Sequence, residues 1–294
     1  MQQKGILIPT IALIYDFDGT LSPKNMQEYD FFKAIKIGNK DDFWRETTKM
    51  VEENDASNIL CYMKLMIDKA SENGVSIKKK QFRDFGKSIK LFPGVLEWFD
   101  RINKIGEAMN VHVEHYINSS GLKEMIEGTS IAKEFKEIYA CSFMYDVDGI
   151  AKWPGVAVDF TAKTQFMYMI NKGISKVSDN KLVNKYVQDC DRPIPFAQMI
   201  YFGDGETDIP CMKLVKNQGG HSIAVYKLYK HSSKVAAEQL VSDHRANFMC
   251  VADYREGKNI EKVVSTIMHK VKYNWELTQE EKKHFQKAVK DLDK

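Results

Sequence analysis

The chain has 294 residues and a formal net charge of only +3, from 43 basic and 40 acidic side chains. This balance argues against the strongly basic surface that binds nucleic acid, so no nucleic-acid partner is expected. The length and a hydrophobic fraction of 44% are enough for one large domain or two smaller ones with an apolar core.

The pattern of cysteines bears on the cellular location of the protein. The cysteines are odd in number and scattered along the chain, and no two of them form a CxxC pair. A reducing compartment fits this pattern better than a disulfide framework, and a cytoplasmic location is predicted. No apolar run approaches the roughly 20 residues needed to cross a bilayer, so no membrane partner is expected. The sequence does not indicate an oligomeric state.

The first predicted strand covers the apolar stretch 5–15, which runs directly into Asp16. Pro9 interrupts it and no small-x-small cleavage site follows, so we interpret it as a buried strand and not as a signal peptide. Asp16 and Asp18 come next, before Gly19. Because residues two apart in an extended chain project to the same side, both carboxylates can face one point beyond the strand.

Such a carboxylate pair has three uses: nucleophile, general acid or base, or ligand of a hard cation. An EF-hand loop beginning at Asp16 is excluded, because Leu21 stands at the glycine position and Gln27 at the position of the last oxygen ligand. A simple Asp-Gly turn after a strand remains an alternative for this segment taken alone.

A helical insertion is predicted after the first strand, because over 90 residues precede the next strand candidate. A parallel crossover needs only about a dozen residues, including its helix. Residues 23–90 are predicted to form this insertion, with a turn at 91–94 before an amphipathic helix through Trp98 and Ile102. Within the insertion one helical stripe is predicted to comprise Ile59, Leu60, Met63, Met66, Ile67 and Ala70.

Five more strands are predicted downstream, at 113–118, 138–143, 198–202, 222–226 and 247–251, with helical-period segments between most of them. This alternation predicts an α/β fold with a parallel sheet and helices on both faces. Ligands of such sheets bind at the carboxyl ends of the strands. The tail is predicted to be a solvated helix that begins at a capping box formed by Thr278 and Glu281.

The segment 201–210 repeats the pattern of the first site: a strand, an acidic glycine-rich turn with Asp204 and Asp208, and a helix with Pro210 near its first turn. Carboxylates from separate loops that meet at one point repel one another, so a cation is their natural complement. Oxygen-only ligands favour Mg²⁺.

Two further segments carry candidate phosphate-binding groups. The strand at 113–118 leads into Ser119, Ser120 and Gly121, and these are predicted to place hydroxyl and backbone donors at a helix N-terminus, where an anion can bind. Ordinary helix capping is the alternative. Lys163 opens a helix, where the helix dipole opposes a positive charge, although a surface lysine is the common explanation.

Together the four segments resemble the motifs of the haloacid dehalogenase-like hydrolases, specifically their phosphatase branch. The family's DxDGT motif is matched by residues 16–20, and its Ser or Thr at a strand end by Ser119. Its helix-opening lysine is matched by Lys163 and its GDGxxD motif by residues 203–208.

The resemblance implies a Mg²⁺-dependent phosphatase that acts on a small phosphorylated metabolite through an aspartyl-phosphate at Asp16. Asp18 would be the general acid and base, and Ser119 and Lys163 would stabilise the phosphoryl oxygens. Mg²⁺ would be held by Asp16, Asp204 and the backbone carbonyl of Asp18, with Asp208 orienting the metal site. Substrate-binding roles are predicted for Thr20, Ser120, Gly121 and Asn25.

The same resemblance implies a Rossmann-like three-layer core and a helical cap of the phosphoserine-phosphatase type. The predicted domains are the core at 1–22 and 91–272, the helical cap at 23–90 and the C-terminal helix at 273–294. Phosphoserine phosphatases carry a glutamate nine residues after the nucleophile, where this chain has Asn25, with Glu28 nearby. This difference argues against phosphoserine as substrate.

Three alternatives stay open from the sequence. A phosphotransferase or a phosphonatase would use the same aspartate, and a catalytically silent metal-binding module would keep the loops without turnover.

A second YDxDG string, with Asp146 and Asp148, has Ile150 in place of the threonine. We interpret that string as the tight turn of a short hairpin.

Overall fold

The computed structural model describes residues 8–292, except for the side chains of Asn180 and Cys190. It has one seven-stranded sheet within this range. The strands are β1 (Thr10–Tyr15), β2 (His112–Leu122), β3 (Glu137–Tyr145), β4 (Ala151–Val156), β5 (Met199–Gly203), β6 (His221–Tyr226) and β7 (Phe248–Val251).

The strand order is β4-β3-β2-β1-β5-β6-β7, and every neighbouring pair is parallel except β3 with β4. The predicted α/β fold with a parallel sheet is therefore confirmed. β1 lies at the centre, and its residues 11–15 are fully buried, as expected for an apolar strand covered on both faces. Of the predicted strand at 5–15, residues 5–7 lie outside the described residues.

Eleven α-helices lie within the described range. They are α1 (Asp30–Ala34), α2 (Lys40–Asn54), α3 (Asn58–Glu72), α4 (Lys79–Gly86), α5 (Val95–Ala108), α6 (Lys123–Glu127), α7 (Ala162–Lys172), α8 (Asn180–Asn184), α9 (Ile209–Asn217), α10 (His231–Ser242) and α11 (Asn259–Leu292). Among those that flank the sheet, α5 packs on β2 and α11, while α7 packs on β2 and α9.

Residues 23–90, the predicted helical cap, contain α1 to α4 and a 3₁₀ turn at Met26–Glu28. Its aromatic side chains pack on one another, with ring centroids 4.8 Å apart for Phe32 and Phe43. Phe82 stacks on Phe143 of β3 at 5.4 Å, which seats the cap on the core. The chain returns through residues 91–94 into α5, where Trp98 and Ile102 are fully buried, as predicted.

The predicted apolar stripe of α3 is wrong at Leu60, which is 42% exposed. Tyr62 and Leu65, which were not assigned to the stripe, are buried instead. The reason is that α3 packs against α2 on one side and the β4 hairpin strand on the other. The helix therefore buries a broader and differently centred face than its periodicity alone indicates.

The predicted capping box near the C-terminus is also wrong. α11 begins at Asn259 and continues without a break to Leu292, so Thr278 lies in its interior. The hydroxyl of Thr278 donates to the carbonyl of Asn274, one turn earlier, at 2.9 Å. No helix among residues 8–292 combines the length and the apolar character needed to cross a bilayer.

The second YDxDG string forms the predicted hairpin turn between β3 and β4. Asp146 Oδ1 accepts the backbone N–H groups of Asp148 at 3.0 Å and Ile150 at 2.8 Å. Gly149 has a φ of 73°, the left-handed conformation that such turns need. Asp146 therefore has a structural role in the turn.

Candidate active site

Two strand ends place the acidic residues at one point. β1 and β5 are neighbours in register, with Tyr15 opposite Phe202, so the residues after each strand emerge together. The backbone N–H of Asp16 donates to the carbonyl of Phe202 at 2.8 Å. Carboxylate oxygens of Asp16, Asp204 and Asp208 all lie within 4.8 Å of one another.

Lys163 lies in the middle of this acidic cluster and has no exposed surface. Its Nζ is 2.6 Å from Asp208 Oδ1 and 3.2 Å from Asp16 Oδ1. Burial alone would lower the pKa of Lys163, but the charges of the two carboxylates raise it above its usual value. The lysine is thus held protonated beside Asp16. The amide of Asn118 donates to the Lys163 carbonyl at 2.9 Å and fixes the first turn of α7.

Asp208 is fully buried, and both of its oxygens accept hydrogen bonds from the protein. Besides Lys163, the hydroxyl of Tyr201 donates to Oδ1 at 2.7 Å. The backbone N–H groups of Asp204 and Gly205 donate to Oδ2 at 3.1 and 3.3 Å. Asp208 therefore positions Lys163 and the Asp204 loop, and direct coordination of a metal would cost it one of these bonds.

Ser119 is buried and lines the same cavity as Asp16, and its hydroxyl lowers the pKa of the Asp16 carboxyl group. The prediction that this segment lies at a helix N-terminus is wrong. β2 continues to Leu122, which pairs with Cys141 of β3 after an irregularity that begins at Ser119. α6 starts only at Lys123. Ser119 pairs with Ala140 and Leu122 pairs with Cys141, whereas Ser120 and Gly121 lie in the irregularity between these two pairs, so the helix begins only after the strand ends.

Three carboxyl groups of the site, those of Asp16, Asp18 and Asp204, have raised pKa values because they are buried close to other carboxylates. Burial is the main cause for Asp16, whose pKa rises to about 6 despite Lys163. Burial, Asp16 and Asp208 raise the pKa of Asp204 to about 7. Burial and the Asp16 charge raise that of Asp18 well above its usual range.

These pKa shifts have a common origin, because the single ammonium group of Lys163 cannot balance the charges of all the carboxylates of the site. Asp18 Oδ1 is in addition buried without a hydrogen-bond partner among the described residues. A cation with a preference for oxygen ligands fits this donor set, and Mg²⁺ is such an ion. Asp16 and Asp204 are the carboxylates that can hold it.

A cavity of about 260 Å³ opens between the core and the helical cap. Its core side includes Asp16, Asp18, Ser119, Ser120, Gly121 and Asp204. Its cap side is formed by Asn25, Gln27, Trp44, Asn58, Ile59 and Tyr62.

The predicted substrate-binding residues fall into two groups. Ser120, Gly121 and Asn25 line the cavity, whereas Thr20 does not. Thr20 is fully buried, and its carbonyl accepts the hydroxyl of Tyr254 at 2.9 Å, a contact that holds the loop after β1. Sequence reasoning did not assign Gln27, Trp44, Asn58 or Tyr62 to the site, and no local motif marks them.

Gly19 allows the two acidic loops to approach each other. A Cβ at this position would lie 1.9 Å from Asp204 Oδ2, and the residue has a φ of 86°. We expect Gly19→Ala to displace Asp204 and to lower turnover by about a hundredfold, because small displacements of reacting groups are that costly. Turnover and melting temperature are the measurements.

Gly149→Ala is the matched control for Gly19→Ala. Gly149 has a similar φ of 73°, but an added Cβ there would meet no described atom within 4 Å. Only the backbone strain remains, about 1 kcal/mol of stability, and turnover should stay unchanged. Equal activity of the two variants would show that the Gly19–Asp204 approach does not matter.

Comparison with known proteins agrees with this geometry. The sequence model of the family described as "Putative Phosphatase" matches residues 11–268, which include the core motifs and the helical cap. The chain belongs to this family of phosphatases. The phosphatase activity class that its four motifs predicted is therefore confirmed.

Individual relatives of this phosphatase are distant. It is 28% identical over 285 residues to an uncharacterized protein of Borreliella burgdorferi, covering 89% of this chain and 96% of that one. A substrate-bound phosphoserine phosphatase complex has the same fold, with 12% identity, a TM-score of 0.53, and coverage of 88% of this chain and 99% of that one.

A haloacid dehalogenase-family hydrolase of Salmonella enterica serovar Typhi is a further structural match, with 16% identity and a TM-score of 0.48. The match covers 74% of this chain and 63% of that hydrolase, so the phosphatase spans less than two thirds of its length.

Proposed function

We propose that the phosphatase hydrolyses a small phosphate monoester with Mg²⁺ through an aspartyl-phosphate at Asp16. The observation that carries this proposal is the position of Asp16. It lies buried directly after the carboxyl end of β1, with its Oδ1 3.2 Å from Lys163 Nζ. Ser119 and Asp18 line the same cavity as Asp16. A nucleophile, two groups that stabilise negative charge and a proton donor thus surround one point.

In the first step a carboxylate oxygen of Asp16 attacks phosphorus, and the bond from phosphorus to the ester oxygen breaks. Asp18, whose pKa is raised by burial and by Asp16, donates its proton to the departing oxygen. Lys163 and the Ser119 hydroxyl stabilise the negative charge of the transferred group. Mg²⁺ held by Asp16, Asp204 and the Asp18 carbonyl would neutralise further phosphoryl charge.

In the second step Asp18, now ionised, takes a proton from water, and the water oxygen attacks phosphorus. The bond between phosphorus and Asp16 breaks, so inorganic phosphate leaves and both aspartates regain their starting states. Asp208 takes part in neither transfer, because its two oxygens hold Lys163 and the Asp204 loop. It is a positioning residue.

A small metabolite is the proposed substrate, since the cavity of about 260 Å³ lies below the range of roughly 300–1,000 Å³ typical of sites for drug-sized ligands. We also propose a cytoplasmic location. The four cysteines whose side chains are described, Cys61, Cys141, Cys211 and Cys250, are all free and buried, which suits a reducing compartment.

Metal removal tests this function. We expect exhaustive chelation to abolish release of phosphate from p-nitrophenyl phosphate, and added Mg²⁺ to restore it, because the acidic cluster then regains its counter-charge. Mg²⁺ should also raise the melting temperature of the wild type but not of Asp204→Asn. Full activity after chelation, or the same Mg²⁺ shift in Asp204→Asn, would contradict the proposal. Phosphate transfer to an added alcohol instead of to water would indicate a phosphotransferase.

A further inference from the structure

Gln27 is a buried polar residue of the helical cap that the proposed chemistry does not use. It lies in the 3₁₀ turn that follows the first motif, is 2% exposed and lines the cavity. Its Oε1 is buried without a hydrogen-bond partner among the described residues. A buried carbonyl oxygen in that state is costly, so a ligand that donates a hydrogen bond to it would be favoured.

The lack of charged groups on the cap side of the cavity limits which kind of hydrogen-bond donor a ligand can bring there. Glu28, the cap carboxylate next to Gln27 in the chain, accepts from Lys40 at 3.1 Å, Trp44 at 3.1 Å and Asn25 at 3.3 Å. Its carboxylate is paired with Lys40 within the cap, and Glu28 does not line the cavity. The six cap residues that line the cavity carry no formal charge.

The two aromatic side chains of the cap side have their polar atoms occupied. Trp44 Nε1 donates to Glu28, and the Tyr62 hydroxyl donates to the Ser120 carbonyl at 2.6 Å. Both residues therefore offer ring surface to a ligand. Ring surface beside amide groups suits a molecule that has both C–H groups and hydroxyl groups. The C–H groups can pack on the rings, and the hydroxyl groups can form hydrogen bonds with the amides.

We propose that the cap half of the cavity binds a neutral, hydroxyl-bearing leaving group, with Gln27 accepting a hydrogen bond from one of its hydroxyls. The substrate is then the phosphate monoester of a small polyol or sugar, and not of an amino alcohol or a hydroxy acid. This inference rests on the proposed phosphatase activity and names its substrate class. An ammonium or a second carboxylate would enter the cap side without a counter-charge, at a desolvation cost.

Matched esters test the inference on the wild-type enzyme. 2-Hydroxyethyl phosphate and 2-aminoethyl phosphate differ only in the terminal hydroxyl or ammonium. Glycerol 3-phosphate and 3-phosphoglycerate differ mainly in a terminal alcohol or carboxylate. With Mg²⁺ present, kcat/KM is expected to be at least about tenfold higher for the neutral member of each pair. A preference for the amino ester would overturn the proposal. A preference for the carboxylate would also overturn it and would point to Lys227, which lines the core side.

Substitutions at Gln27 assign the effect to that residue. Gln27→Glu places a carboxylate where the unpartnered oxygen lies, so the ratio of kcat/KM for the hydroxyl ester over the amino ester should fall at least about tenfold. Gln27→Met, of similar size, should lower kcat/KM for the hydroxyl ester mainly through KM. An unchanged ratio in Gln27→Glu, with the fold intact by circular dichroism, would remove Gln27 from substrate recognition and overturn the proposal.

Arg45→Ala is the control on the same cap helix as Trp44. Arg45 pairs with Asp42 at 2.5 Å, is 75% exposed and does not line the cavity, so its removal should leave the ratio of the two rates unchanged. Hydrolysis of p-nitrophenyl phosphate distinguishes failure of the phosphatase proposal from failure of the inference about its substrate. If this aryl ester is not hydrolysed, the phosphatase proposal fails and the inference falls with it. If it is hydrolysed without any preference between the paired esters, only the inference fails.

Discussion

Asp16→Asn is expected to lower phosphatase turnover by about 10⁴-fold or more. The amide has nearly the shape of the carboxylate but cannot attack phosphorus, and loss of a covalent nucleophile commonly costs several orders of magnitude. Phosphate release and acid-trapping of a phosphoenzyme are the measurements. The wild type should give a trapped phosphoenzyme and Asp16→Asn should not.

Asp146→Asn is the matched control, because it changes the equivalent aspartate of the second YDxDG string. Asp146 accepts two backbone N–H groups in the hairpin turn, and the asparagine oxygen can accept the same bonds. Turnover should be unchanged and the loss of stability about 1 kcal/mol or less. An inactive Asp146 variant together with an active Asp16 variant would refute the assignment of the nucleophile.

Lys163→Met should be damaging in two ways at once. It removes the ammonium from between Asp16 and Asp208 and leaves two buried carboxylates without their cation. Breaking a buried ion pair from one side typically costs about 3–5 kcal/mol of unfolding free energy. Turnover should also fall by about 10²- to 10³-fold, the cost of losing one group that stabilises the transferred charge.

Urea unfolding and turnover of Lys163→Met separate these two effects. The control is Lys104→Ala, because Lys104 pairs with Asp100 on the surface and is 70% exposed. Exposed pairs contribute about 0–1 kcal/mol, so this variant should match the wild type in both measurements. If Lys163→Met were as stable and as active as Lys104→Ala, Lys163 would be neither the structural cation nor the catalytic one.

The two acidic motifs were predictable from the sequence because each is a local pattern. An apolar strand, a turn with glycine and carboxylates, and the start of a helix follow one another within about ten residues in 201–210. The strand before Asp16 and the acidic turn with Gly19 are likewise adjacent in the chain. The order of strands and helices predicted the parallel sheet, and a parallel sheet brings the ends of its strands to one edge.

Other predictions failed where neighbours distant in the chain decide the local structure. The polar residues after Asn118 have the pattern of a helix start, yet they belong to β2, which continues to Leu122. Leu60 follows the apolar period of α3, but the positions of α2 and β4 turn a different face inward. Thr278 and Glu281 form a capping pattern inside a helix that had already begun at Asn259.

The sequence by itself determined the fold class and predicted the residue types of the candidate site, because strand, turn and helix signals and the carboxylate motifs are encoded by residues close in the chain. Only the tertiary structure decided which groups meet. The ion pairs of Lys163 join residues 147 and 45 positions apart, as 163 − 16 and 208 − 163. The cap side of the cavity, with Gln27, Trp44 and Tyr62, arises where the 3₁₀ turn, α2 and α3 pack over the strand ends. Packing of that kind depends on the shapes of all the surfaces involved, so it cannot be predicted from a short segment of the sequence.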